Sequence, residues 1–262
     1  MLSVVSIKKN TKLLDIAFSF VIRVTQKTVI NGIGVSIRKK QRKKKLQDRI
    51  KITSSDSYEK RLIDLGLIPE RLWWGPMTLT PIKAQVLLDE IEKQPPQHLL
   101  EVGSGTSSAL FAAAGEKYDF DVLSLENYRP TVKYVEYLLN ELTCSRRLTI
   151  QLCDLVRRKY ANGDAYRWYN ANLNSVQGPI DFVLIDGPMS GLVGRNGALP
   201  EIIPFLSEDH RIFLDDSSRK HERKCIEEWK MHYPQLIVEK PKENCTLAKI
   251  RIPNIKSIQS QL

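Results

Sequence analysis

Apolar and polar positions follow two periods along this chain, and the order of those periods predicts its architecture. Residues 81–92 carry Ile82, Val86, Leu87 and Ile91 on one side of a helix, which Pro95 and Pro96 stop. His98–Val102 is a short apolar run; Gly103 and Gly105 follow, and then the Ala-rich stretch 106–114. That order predicts strand, glycine turn, helix. Asp121–Glu126, Leu148–Leu152, 180–186 and 211–215 are further strand-like runs, each of the last two delivering acids at its end. Strand and helix alternate through Leu214, which predicts an α/β fold with a mostly parallel sheet and helices on both faces. The tail breaks this rhythm. Residues 236–238 and 246–252 are strands joined by a short polar loop, so the sheet is expected to end in a C-terminal antiparallel hairpin.

Charge changes the picture only at the N-terminus. Residues 1–49 hold thirteen Lys and Arg against Asp15 and Asp48, or +11, which leaves residues 50–262 at −1 of the total +10. The body is thus close to neutral, and the basicity belongs to an arm. Residues 13–24 are apolar apart from Asp15, Ser19 and Arg23, too short for the roughly 18 residues of a membrane span and without a secretory cleavage site. Residues 38–49 are a basic run. Contact of residues 13–49 with an anionic membrane surface is one expectation, and a solvated leader without a partner is the other. Nucleic acid is not expected, because no aromatic residues interleave with these charges. Cys144, Cys153, Cys225 and Cys245 show no zinc spacing and suit a reducing compartment, so a cytoplasmic location is expected, peripheral at the inner membrane surface if the arm docks there. Organisation reads as an arm at 1–49, a helical lead-in at 50–96 and an α/β domain at 97–262.

The glycine turn carries the first chemistry. Glycines let the backbone approach a ligand closely, and the helix behind them offers free N–H groups. A dinucleotide fingerprint needs a third glycine where Ser108 stands. Glu101 would repel a pyrophosphate, yet it can accept a hydrogen bond from an ammonium or a hydroxyl. Glu126 ends the next strand, about 20 residues on, where Rossmann-like folds place a carboxylate on ribose hydroxyls; the alternative is a cap for the helix beginning near Pro130.

Three acids define the second chemistry. Asp186 ends one strand, and Asp215 and Asp216 end the next. Carboxylates converging at a sheet edge require a compensating cation. Mg²⁺ held by Asp186, Asp215 and Asp216 is one solution, and it would lower the pKa of an acceptor hydroxyl. Pairing with Arg195, Arg219 and His221 is the other, leaving Asp186, Asp216 or His221 as general base.

The run Glu101–Ser107, E-x-G-x-G-x-S, resembles the first motif of class I S-adenosylmethionine-dependent methyltransferases. The resemblance implies that Glu101, Gly103, Ser104, Gly105, Thr106, Ser107 and Glu126 hold S-adenosyl-L-methionine, with Asp154 at its adenine. The acid order also resembles catechol-type O-methyltransferases, although Gly187 and Pro188 after the first acid depart from that pattern. Across residues 70–252, the segments around Trp73–Pro76, 167–169, 182–188, 195–200 and 214–223 are similar to one bacterial group of methyltransferase-like proteins. This implies a Rossmann-like methyltransferase domain acting on a small-molecule or glycan-type acceptor, with Gly191–Gly194 as a flexible loop at the cleft mouth; Trp73, Trp74 and Arg167–Tyr169 are read either as walls of the cleft or, for the tryptophans first of all, as cover for the core. Arg195 is expected either to grip an anionic acceptor or to hold that loop through Asp186 or Asp216. A non-catalytic nucleotide-binding or scaffold module is the second reading, and an NAD-dependent oxidoreductase is the third. Oligomeric state is left open.

Overall fold

The computed structural model describes residues 56–72, 78–142, 146–159, 165–189 and 194–260. The basic arm, Trp73, Trp74 and most of the Gly191–Gly194 loop lie outside them. Helices α1 (Asp56–Asp64) and α2 (Pro81–Lys93) lead to β1 (His98–Val102), α3 (Thr106–Tyr118), β2 (Asp121–Glu126), α4 (Arg129–Leu142) and β3 (Leu148–Leu152). Then come β4 (Leu155–Lys159), β5 (Ala165–Tyr169), β6 (Ile180–Ile185), α5 (Ala198–Ile202) and β7 (Leu206–Leu214). The chain closes with α6 (Lys220–His232), β8 (Ile237–Glu239), β9 (Ala248–Arg251) and α7 (Ile255–Gln259).

Seven strands form one sheet in the order β3-β2-β1-β6-β7-β9-β8. Strands β3, β2, β1, β6 and β7 are mutually parallel, whereas β9 runs antiparallel to both β7 and β8. The expected hairpin is therefore present, with the last strand inserted between its partner and the parallel body. Chain direction across the sheet reverses between β1 and β6. In open α/β sheets that crevice, outside the strands' carboxyl ends, is where ligands bind.

Period-two alternation sorts the strands' side chains into two cores. Leu99, Val122, Phe182, Leu184 and Phe213 face one side, with α1 to α4; Leu100, Val102, Val183, Ile185 and Leu214 face the other, with the later helices. The lead-in is part of the first core. Leu87, Leu88 and Ile91 of α2 are fully buried, each contributing about 1.5–3 kcal/mol relative to exposure. Thr80 caps α2 by accepting from the Lys83 N–H, and Pro81 occupies its first turn.

One pairing was not anticipated. No strand is expected from the sequence between Leu152 and residue 180, yet β4 and β5 form a separate antiparallel ribbon. Its cause is an alternation in which Tyr166 and Trp168 are buried while Ala165 and Arg167 are exposed. The charges of Arg157, Arg158 and Lys159 hid that period in the sequence. Trp168 is thereby committed to the core and Tyr169 is equally buried.

Candidate active site

The turn after β1 is shaped by close backbone contact. Gly103 has φ +94°, and a Cβ there would stand 2.7 Å from the Gly187 nitrogen and 2.9 Å from its Cα. Gly187 in turn lies against the Tyr169 hydroxyl. The glycine turn and the residue following Asp186 thus touch through their main chains, which only glycines allow. Gly103→Ala is expected to lower stability by about 2 kcal/mol, from positive φ and overpacking together; a urea midpoint equal to wild type would refute this packing.

A buried polar relay fixes the same turn. Ser108 accepts from the Gly105 N–H (2.9 Å) and donates to Glu101 Oε2 (2.5 Å). Ser124 donates to the same oxygen (2.6 Å) and meets Ser104 Oγ at 2.7 Å. Ser108 is therefore not a degenerate third glycine but the link between the helix start and the acid. Glu101 is fully buried, and its Oε1 has no hydrogen-bond partner among the described residues. Burial pushes its carboxyl up to about 7, against the pull of the surrounding serine hydroxyls. Thr106 and Ser107, in the first turn of α3, are both buried.

Glu126 binds backbone on both oxygens. Its Oε1 accepts from Asn127 and Tyr128 N–H (2.7 Å each), and Oε2 accepts from Ser104 N–H (3.2 Å). It joins the glycine turn to the approach of α4; Oε1 is filled by two N–H groups, and Oε2 retains lone-pair capacity for a ligand. Burial raises its pKa, and the three N–H groups oppose that rise. Asp154 is exposed beyond the end of β3, one residue past Cys153, whose N–H bonds the Glu126 carbonyl.

Across the crevice, Asp186, Asp215 and Asp216 bring carboxylate oxygens within 4.8 Å of one another. Three cations meet them. Lys83 of α2 bonds Asp215 Oδ1 and lies 3.1 Å from Asp216 Oδ1. Arg219 bonds Asp216 Oδ2 at 2.7 Å, and Arg195 bonds Asp186 Oδ1 at 3.0 Å. Asp186 keeps 23% of its side chain exposed, against 4% for Asp215 and 17% for Asp216. Desolvation, reinforced by Asp215 and opposed by Arg195, raises the Asp186 carboxyl to about 7. Asp215 is also raised, by burial first.

Arg195 is 4% exposed. Its guanidinium donates to the Asp215 carbonyl (2.9 Å) and to the Asp186 carbonyl, and its Nε lies 3.8 Å from Glu222 Oε1. Its partners lie at the ends of β6 and β7, and of the two acids it pairs with Asp186 rather than Asp216. His221 is exposed in the first turn of α6, and no hydrogen bond or ion pair joins it to the acids among the described residues. The neighbouring Glu222 turns inward instead, on the face shared with Cys225 and Trp229. Lys83 and Glu222 were both missed from sequence. Their signal was a charged residue spaced three and four positions from apolar ones: Lys83 before Val86 and Leu87, and Glu222 before Cys225 and Ile226.

No family model matches this chain, and no curated protein matches it in sequence. Solved structures do resemble it. A methyltransferase of Podospora anserina in its SAH-bound form aligns with a TM-score of 0.53 at 13% identity, over 86% of this chain and 99% of that one. An O-methyltransferase of Streptomyces achromogenes involved in tomaymycin synthesis, solved in complex with SAM, aligns with a TM-score of 0.51 at 10% identity, over 77% and 92%. The likeness establishes the fold: a Rossmann-like methyltransferase sheet, mostly parallel, with an antiparallel end. No helix among the described residues is long and apolar enough to cross a membrane.

Proposed function

We propose that this protein is an S-adenosyl-L-methionine-dependent methyltransferase acting on a hydroxyl of a small-molecule or glycan-type acceptor. One observation carries the reading: the glycine turn after β1 and the acid after β6 flank the reversal point of the sheet, in main-chain contact through Gly103 and Gly187. Residues suited to a cofactor and residues suited to an acceptor thus share one crevice. The bound cofactor would supply an electrophilic methyl group. Its ribose hydroxyls suit the Glu126 carboxylate, whose Oε2 accepts only from the Ser104 N–H among the described residues, whereas a dinucleotide pyrophosphate would meet repulsion from that acid. Gly105 supports the fit, since a Cβ at that position would meet only Ser107 Oγ, at 3.9 Å.

On the acceptor side, Asp186 is the most exposed of the three acids, and its pKa is matched to taking a hydroxyl proton near neutral pH. Arg195 orients it, and Asp215 with Asp216 forms the charged floor. Contact of residues 13–49 with an anionic membrane surface belongs to the same proposal, as does a cytoplasmic site of action. Calorimetric titration with S-adenosylhomocysteine, using NAD as control, tests the reading. Micromolar binding is expected; binding of NAD alone would replace it with an oxidoreductase, and silence from both with a non-catalytic module. In the same assay, Glu126→Ala is expected to weaken S-adenosylhomocysteine at least about tenfold, a loss of about 1.4 kcal/mol. Unchanged affinity would sink its role at the ribose.

A further inference from the structure

The three acids have the donor chemistry of a divalent-cation site, since hard ions take carboxylate oxygens. Their surroundings do not fit one. Each carboxylate already carries a side-chain cation: Lys83 on Asp215 and Asp216, Arg219 on Asp216, Arg195 on Asp186. The three acids are thereby paired without an ion, with Arg195 shared between Asp186 and the buried Glu222. The Lys83 ammonium bonds both adjacent carboxylates, whose oxygens a bridging metal would need, and its side chain is only 8% exposed. Mg²⁺ demands close octahedral oxygen ligands and would have to expel this ammonium. The expelled lysine would be left buried without a partner, which is costly.

We infer that Lys83 is a built-in cation that takes the place of a divalent metal, so that the crevice works without one. Lys83 is a positioning residue: its partners are Asp215 and Asp216, which it holds beside Asp186. The inference also bears on substrate class. A metal-centred site favours acceptors with two adjacent oxygens that chelate the ion, whereas an ammonium held by two carboxylates has a single N–H left and cannot chelate such a pair. A single hydroxyl, delivered to Asp186, is enough. This consequence rests on the methyltransferase reading; the exclusion of metal does not.

The test is Mn²⁺ binding followed by electron paramagnetic resonance, with circular dichroism to verify folding. Wild type is expected to show no stoichiometric site tighter than about 1 mM. Lys83→Met, of similar length but uncharged, is expected to gain one site at least about tenfold tighter, and Asp215→Asn in that background should abolish it. Lys83→Arg should exclude Mn²⁺ as wild type does. A wild-type site in the micromolar range that Asp215→Asn removes would overturn the inference, as would a folded Lys83→Met variant that binds no Mn²⁺. Wild-type S-adenosylhomocysteine affinity should be equal in EDTA and in excess Mg²⁺, and a rise with Mg²⁺ that Asp215→Asn cancels would also count against it. Absence of any S-adenosylhomocysteine binding would defeat the proposed function while leaving the Mn²⁺ result to stand by itself.

Discussion

Asp186→Asn is expected to lower methyl transfer by about 100- to 10,000-fold, the range of a lost general base. Asparagine is close to isosteric, and its oxygen can keep the 3.0 Å bond from Arg195, so the crevice should hold its shape. What it loses is the ability to take a proton. The wild-type rate should climb as pH rises through about 7, where burial and Asp215 have moved the Asp186 carboxyl, and the residual rate of the variant should lack that limb. Transfer of labelled methyl groups to a panel of phenolic and glycan hydroxyls, from pH 5.5 to 8.5, measures both. S-adenosylhomocysteine affinity should change less than about threefold. A variant that retains a tenth or more of the wild-type rate would remove Asp186 from this role.

Glu101→Gln is expected to change how stability depends on pH. The folded-state carboxyl titrates near 7, above its ordinary 4.5, because it is fully buried. A group raised in this way gives its full stability below about 4.5 and loses it as pH rises through 7. At pH 8 the buried carboxylate therefore costs on the order of 3 kcal/mol relative to its protonated form. Glutamine carries no such charge, and its carbonyl can still accept from Ser108 and Ser124. Between pH 5 and 8, a change of about 2.5 kcal/mol, the melting temperature of wild type should fall by roughly 5–10 °C more than that of the variant, at 2–4 °C per kcal/mol. Parallel curves would mean that Glu101 ionises normally, and the turn's relay would need another account.

What the sequence determined by itself was the order of elements and the positions of the acids. Apolar runs of four to six residues, punctuated by Gly103, Gly105 and the proline pair, specify strands and their ends through local chemistry alone. The hairpin tail was legible for the same reason. The β4–β5 ribbon was not, because its burial is on one face and its charged residues are equally prominent in a linear reading. Only the tertiary structure decided which charges meet. Lys83 and Asp215 are far apart in the chain, and nothing in the spacing of α2 says that its one inward ammonium lands between two carboxylates at the end of β7. His221 and Glu222 show the same limit within one helical turn: a rotation of 100° per residue exposes one and buries the other against Arg195. Sequence fixes which groups are present at an edge; packing of helices on the sheet fixes which of them are desolvated and paired, and that pairing decides their charge and their chemistry.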